Sequence, residues 1–193
     1  KLKRDGPVSV ILVSGIPGSG KGRFASSLSK LLMNEKLVCQ DFKMPSVQAS
    51  CKYSTQEFIT SMKAEVASNA DVVVAVIPSY HHLKKAIFEL RKSEEFSAQF
   101  DIKFVITKVN AKNFYQNRNR NLYSYLIENC LKGVCHAVVF EHTTSLPQSE
   151  IDIMTKMLAT ANFANAVLPV HGRHHFDLES LSQILMRQNE KFN

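Results

Sequence analysis

Six runs of this chain are rich in Val and Ile, most of them apolar almost without interruption: VSVILVS (8–14), KLVCQDF (36–42), DVVVAVI (71–77), IKFVIT (102–107), VCHAVVF (134–140) and NAVLPV (165–170). A strand with one wet face alternates apolar and polar residues. A strand apolar along its length must be covered on both faces, which is the condition of a parallel sheet. Between the runs the apolar period lengthens to that of a helix. Phe24, Leu28, Leu31 and Leu32 form one stripe, and Ile59, Met62 and Val66 the next. Leu83, Ile87 and Leu90 follow, then Leu122, Leu126 and Cys130, then Ile151, Met154 and Leu158, then Leu178, Leu181 and Leu185. Ser54 and Glu57 are spaced as a capping box. This alternation predicts an α/β fold, a doubly wound and mainly parallel sheet of five or six strands with right-handed crossovers. No repeat, low-complexity tract or linker divides residues 1–193, so one domain is expected. The polar stretch AKNFYQNRNRNLYSY (111–125) is expected to begin as a loop before its helix.

The first apolar run is followed by GIPGSGKGR (15–23), and that by the helical run FASSLSKLL. Glycines at Gly15, Gly18, Gly20 and Gly22 let the backbone curl so that successive N–H groups face inward as a nest for an anion. The helix that follows adds the partial positive charge of its N-terminus. Lys21 supplies a point charge for the β- and γ-phosphates. Strand, glycine loop and helix in this order are the context a phosphate loop requires. The candidate phosphate site is therefore Gly15, Pro17, Gly18, Ser19, Gly20, Lys21, Gly22 and Arg23.

GIPGSGKGR resembles the G-x-P-G-S-G-K-G-T loop of adenylate kinases and related nucleoside monophosphate kinases, and the resemblance covers about the first 35 residues. It implies a P-loop fold and a bound ATP or GTP, with Mg²⁺ as the usual companion. Gly22 agrees with that subgroup. Arg23 departs from it, because Thr there offers a hydroxyl to phosphate and metal and a guanidinium cannot ligate Mg²⁺. Phosphoryl transfer also needs a carboxylate near the metal. The third run ends in PSYHH, and its Asp71 lies at the amino end, about 20 Å from the loop at ~3.3 Å per residue. Ser79 is a weak substitute. Asp41, ending the second run, resembles the strand-terminal Asp of polynucleotide and uridine kinases, with Lys43 close behind. Lys21 and Asp41 are thus the candidate catalytic pair. Arg118 and Arg120 stand in a lid-like position, Arg173 follows the last run, and nothing matches the D-G-[FY]-P-R segment of the family.

The fourth run continues into TKVN (107–110), which resembles the [NT]-K-x-D base-recognition motif of GTPases. The resemblance implies that Thr107, Lys108 and Asn110 contact the base. Asn110 stands where the motif has Asp. An amide offers one acceptor oxygen and a donor where guanine requires two acceptors, so guanine selectivity should be weak. The D-x-x-G switch element of GTPases is missing, and EHTTS (141–145) only loosely matches their last base-contacting loop. A P-loop domain with kinase-like and GTPase-like traits both reduced, carrying GIPGSGKGR and TKVN, also resembles the carboxyl-terminal part of the Shulin-type dynein axonemal assembly factors. That likeness implies a role in packaging outer dynein arms in the cytoplasm.

Composition narrows the setting. The net charge of +7 suits a polyanionic ligand. Its Lys and Arg are dispersed rather than striped, which argues against nucleic acid. The longest apolar run, VVVAVI, is far too short to span a membrane. Cys39, Cys51, Cys130 and Cys135 form no C-x-x-C pair and read as reduced thiols of a cytoplasmic protein. His81, His82, His142, His171, His174 and His175 cluster after strand ends, without a metal-ligand spacing, so no metal site is expected. The chain opens at Lys1 without Met, so a domain of a longer polypeptide is expected. Three readings follow. The first is a nucleotide-binding regulatory module with weak or lost hydrolysis, read by the rest of a larger polypeptide or by a protein partner. The second is an active small-molecule or nucleotide kinase. The third is an interaction scaffold with a relic loop.

Overall fold

The computed structural model describes residues 6–34, 39–43, 54–66, 70–78, 82–114, 120–131, 133–141, 146–161 and 166–169. In chain order they form β1 (Val8–Ser14), α1 (Lys21–Asn34), β2 (Cys39–Lys43), α2 (Thr55–Glu65), β3 (Val72–Val76), α3 (Leu83–Lys92), α4 (Glu94–Ser97), β4 (Phe100–Asn110), α5 (Ala111–Phe114), α6 (Arg120–Cys130), β5 (Ala137–Glu141), α7 (Gln148–Ala161) and β6 (Ala166–Pro169). The strands make one six-stranded sheet in the order β2-β3-β1-β4-β5-β6. Every pairing is parallel, as the continuous apolar runs predict. β1 lies between β3 and β4, and the chain turns to opposite sides of it. The crevice beyond its carboxyl end is therefore the point where such sheets take ligands.

The two sheet faces carry separate cores. Ile11, Val13, Val74, Val76, Phe104, Ile106, Ala137 and Val139 pack under Phe24, Ala25, Leu28 and Leu32 of α1. The other face is larger. Val10, Leu12, Val73, Ala75, Val105, Val109 and Val138 pack against the stripes of α2, α3, α6 and α7, among them Ile59, Met62, Ile87, Leu90, Leu126, Met154 and Leu158. Ser54 caps α2 as its spacing predicts, accepting from the Glu57 N–H at 3.3 Å.

β4 runs past Thr107 to Asn110, so TKVN closes the fourth strand, as expected of a motif at a strand's carboxyl end. Two local features differ from the sequence expectation. Residues 111–114 form a helical turn, α5, rather than a loop, because Ala111 and Phe114 bury themselves at i and i+3. The other is a register shift between Val10 and Ile11: Val10 pairs with Ile102, Ile11 pairs with Phe104, and Lys103 is the extra residue of a bulge. No helix among the described residues is long and apolar enough to cross a membrane. Lys36–Val38, Cys51, Ser79, His81, Arg118, residues 142–145, His171, Arg173, His174, His175 and the stripe at 178–185 lie outside the described residues, as do the side chains of Lys43, Arg120 and Leu122.

Candidate nucleotide-binding site

β1 ends at Ser14 and the glycine loop leaves it at the sheet's central crevice. The turn closes with the Ser19 N–H donating to the Ile16 carbonyl at 3.1 Å, and α1 opens with the Phe24 N–H donating to the Gly20 carbonyl at 3.1 Å. Gly18 and Gly20 have φ of 77° and 75°, the left-handed region where a Cβ is strained. Gly15, at φ 156°, is constrained by packing as well. A Cβ there would lie 2.5 Å from the Ser19 hydroxyl and 2.6 Å from the Lys108 carbonyl oxygen. The loop is thus folded against β4 with no room for a side chain between them.

Within this curl the Ser19 hydroxyl is buried and has no hydrogen-bond partner among the described residues, a state that native proteins seldom leave unexplained. Lys21 is the first residue of α1 and half-buried, and burial holds its amine below the usual lysine range. Gly22 is half-buried beside it, Pro17 is half-buried, and Arg23 is exposed. One turn on, Ser26 donates to the Asp41 carboxylate at 2.9 Å. Asp41 lies within β2, exposed on the flank of α1, and β3 separates β2 from β1. Two interstrand steps of about 4.8 Å put it some 10 Å sideways from the β1 axis. β3 is followed by Ile77 and Pro78, so the described residues place no carboxylate at that strand end.

The base segment is internally engaged. Thr107 is fully buried; its hydroxyl lies 3.0 Å from the Ser14 hydroxyl and donates to the Asn129 carbonyl at 2.9 Å. Lys108 is 1% exposed. Its amine donates to Glu141 at the end of β5 at 2.7 Å and sits 5.7 Å over the Phe24 ring. Burial lowers its pKa, and Glu141 opposes that shift. Asn110 accepts from the Lys112 N–H at 3.1 Å and makes a weak 3.5 Å contact to the Gly18 carbonyl. The structure therefore brings Ser14, Thr107, Lys108 and Asn110 together with the phosphate loop.

Glu141 belongs to this group and sequence reasoning did not single it out. It pairs with Asn110 in register, and its carboxylate is 3.1 Å from where a Gly20 Cβ would stand. Its only signal was a carboxylate closing a strand, at the head of EHTTS. Cys39, Cys130 and Cys135 are buried thiols. Burial pushes the Cys130 thiol well up, with Cys135 adding to the shift. Among the described residues no three His, Cys, Asp or Glu side chains are grouped to hold a metal.

This architecture, with a glycine loop joining the central strand of a parallel sheet to a helix, is the P-loop NTPase fold, and solved structures agree. The Zn(II)-bound YjiA GTPase from E. coli superposes with a TM-score of 0.64 at 14% identity, over 95% of this chain and 62% of that one. The hydrogenase maturation factor HypB from Archaeoglobus fulgidus gives 0.61 at 12% identity, over 93% and 88%. The signal recognition particle receptor FtsY from Elizabethkingia anophelis gives 0.59 at 14%, over 94% and 66%. The chain thus spans about three fifths of the YjiA chain, and at these identities the likeness is one of fold. No curated protein matches it significantly in sequence. The family model described as the DAAF9 domain matches residues 10–174.

Proposed function

The chain belongs to the DAAF9 domain family, and on that premise we propose that it is a nucleotide-binding module whose loop holds the phosphates of ATP or GTP, with hydrolysis weak or lost. The observation that carries this reading is the loop itself. Two left-handed glycines, a half-buried Lys21 at a helix N-terminus and the orphaned Ser19 hydroxyl make a nest prepared for anionic oxygens. Lys21 would hold the β- and γ-phosphates and the loop amides the oxygens around them.

The residues fit Mg²⁺ less well. Gly22 and exposed Arg23 follow Lys21, and Ile77 and Pro78 follow β3, so the metal should add little to affinity. Base discrimination should also be weak, because Lys108 is committed to Glu141 and Asn110 is an amide. The likeness to dynein assembly factors suggests the setting. In it the module would act in the cytoplasm, and the rest of a larger polypeptide, or a protein partner, would read its nucleotide state.

Calorimetric titration with ATP, ADP, GTP and GDP, with and without Mg²⁺, tests the reading. Binding with little Mg²⁺ dependence, weakened at least about a hundredfold by Lys21→Ala, is the expected result. No binding to the unaltered chain would sink it and leave the relic-loop scaffold. In the second reading, a kinase, Asp41, which Ser26 holds on the flank of α1, would be the catalytic carboxylate. In that case Asp41→Asn abolishes turnover and spares binding.

A further inference from the structure

A cavity of about 380 Å³ opens at the amino edge of the sheet, the end opposite the phosphate loop, where α3 ends, α4 turns and β4 begins. Its floor is apolar: Phe96 and Phe100 are buried, with ring centroids 5.3 Å apart, and Ile102 lies beside them. Its charged lining is Arg91 from α3, Asp101 and Lys103 from β4, and His136 just before β5. Lys103 is matched to Asp101 at 2.7 Å. Arg91 makes no ion pair or side-chain hydrogen bond among the described residues.

His136 is held in one tautomer. Its ring stacks on Phe104 at 5.0 Å, and its Nδ1 accepts the Val105 N–H at 3.0 Å. Nε2 is left as the N–H donor, and it has no acceptor among the described residues. Two donors without acceptors thus share a cavity with an aromatic floor. Phe88, 65% exposed, lies one turn before Arg91 on the outer side of α3, among Lys84, Lys85 and Lys92.

We propose that this cavity docks an acidic segment of a partner protein. One carboxylate sits between Arg91 and His136, a neighbouring apolar side chain lies on the Phe96–Phe100 floor, and Phe88 is covered at the rim. The charge of the occupant follows from the two donors and from the basic outer side of α3 on a chain of net charge +7. Its apolar part follows from the floor and from exposed Phe88, which a free inorganic anion would leave wet. A volume of this size, near the low end for ligand sites, takes one or two side chains. Burial, followed by the charge of Arg91, holds His136 below the usual histidine range. A carboxylate accepting from Nε2 opposes both effects, so docking raises the His136 pKa, while the Val105 N–H at Nδ1 still disfavours a second proton.

The test uses the full chain and two sets of heptapeptides, one with a central Glu flanked by Leu and Phe, the other identical with a central Gln. Binding is read by calorimetry and by the His136 ring resonances across pH. The Glu set should bind, raise the His136 pKa and weaken about tenfold both on changing Glu to Gln and in Arg91→Gln. Arg91 is exposed, so the variant should melt as the parent does. Equal binding of the two sets, indifference to Arg91→Gln, or no binding of either overturns the proposal. So do acetate or phosphate moving His136 as effectively as the peptides, because the site would then serve a free anion.

Discussion

The phosphate loop and the TKVN segment touch one another, yet they manage their polar groups in opposite ways. The loop leaves the Ser19 hydroxyl buried and, among the described residues, unpartnered. A few ångströms away, β4 satisfies its own groups: Thr107 bonds to Ser14 and Asn129, and Lys108 to Glu141. Burying a polar group without a partner costs about 1–3 kcal/mol. A fold bears that cost most readily where a ligand restores the bond. The difference teaches that the two halves of the site are not equally prepared. The loop carries an unmet hydroxyl among the described residues, and the TKVN segment is already a finished piece of core.

The sharpest way to break this contrast is to unpair the finished half. Glu141→Ala strands a lysine that is 1% exposed, and urea unfolding should record a loss of about 2–4 kcal/mol near neutral pH. Lys108→Met keeps the packing on Phe24 and leaves only the more accessible Glu141, so it should cost under about 1.5 kcal/mol. Equal losses would mean that packing, not charge, joins β4 to β5. The sign with pH follows from the lowered pKa of Lys108. The unfolded chain holds more protons than the folded one across that window, so Glu141→Ala recovers stability as pH rises toward the usual lysine value of about 10.4.

A smaller effect sharpens the contrast from the other side. Asn110→Asp restores a two-acceptor edge and should raise the preference for GTP over ATP about tenfold in calorimetry. An unchanged ratio would place the base away from this segment. Smallest of all, Arg23→Thr should change affinity less than about threefold without Mg²⁺, because Arg23 is exposed, and make Mg²⁺ visible in the titration. A large loss instead would make Arg23 a phosphate ligand.

Much of the fold was legible because it rests on local patterns. β1 occupies its predicted run to the residue, and the stripes at Ile59–Met62, Leu83–Ile87–Leu90 and Ile151–Met154–Leu158 are buried. Legibility failed where a residue's partner is distant in sequence. Lys108 reads as the end of a strand because a lone charge calls for water, and Glu141, which meets that charge, lies on another strand. The single turn of α4 is too short for a period to register. Its only trace was Ser93, whose hydroxyl accepts the Phe96 N–H at 3.2 Å. α5 hid inside a polar stretch because its cap is Asn110, the residue the base motif had claimed. The loop, by contrast, was readable whole, since glycine spacing is itself the local geometry.

The bulge at Lys103 has a consequence that reaches the far end of its strand. Before it, Phe100 and Ile102 belong to the core away from α1; after it, Phe104 and Ile106 belong to the core beneath α1. One extra residue has changed the phase of everything downstream, and Lys108 inherits that phase some 17 Å away at about 3.3 Å per residue. Removing Lys103 would set Ile102 and Phe104 side by side opposite Val10 and Ile11, which are already consecutive, so the ladder would close and Lys108 would keep its place over Phe24. Adding a residue between Phe104 and Lys108 is the change that would turn Lys108 to the other side of the sheet.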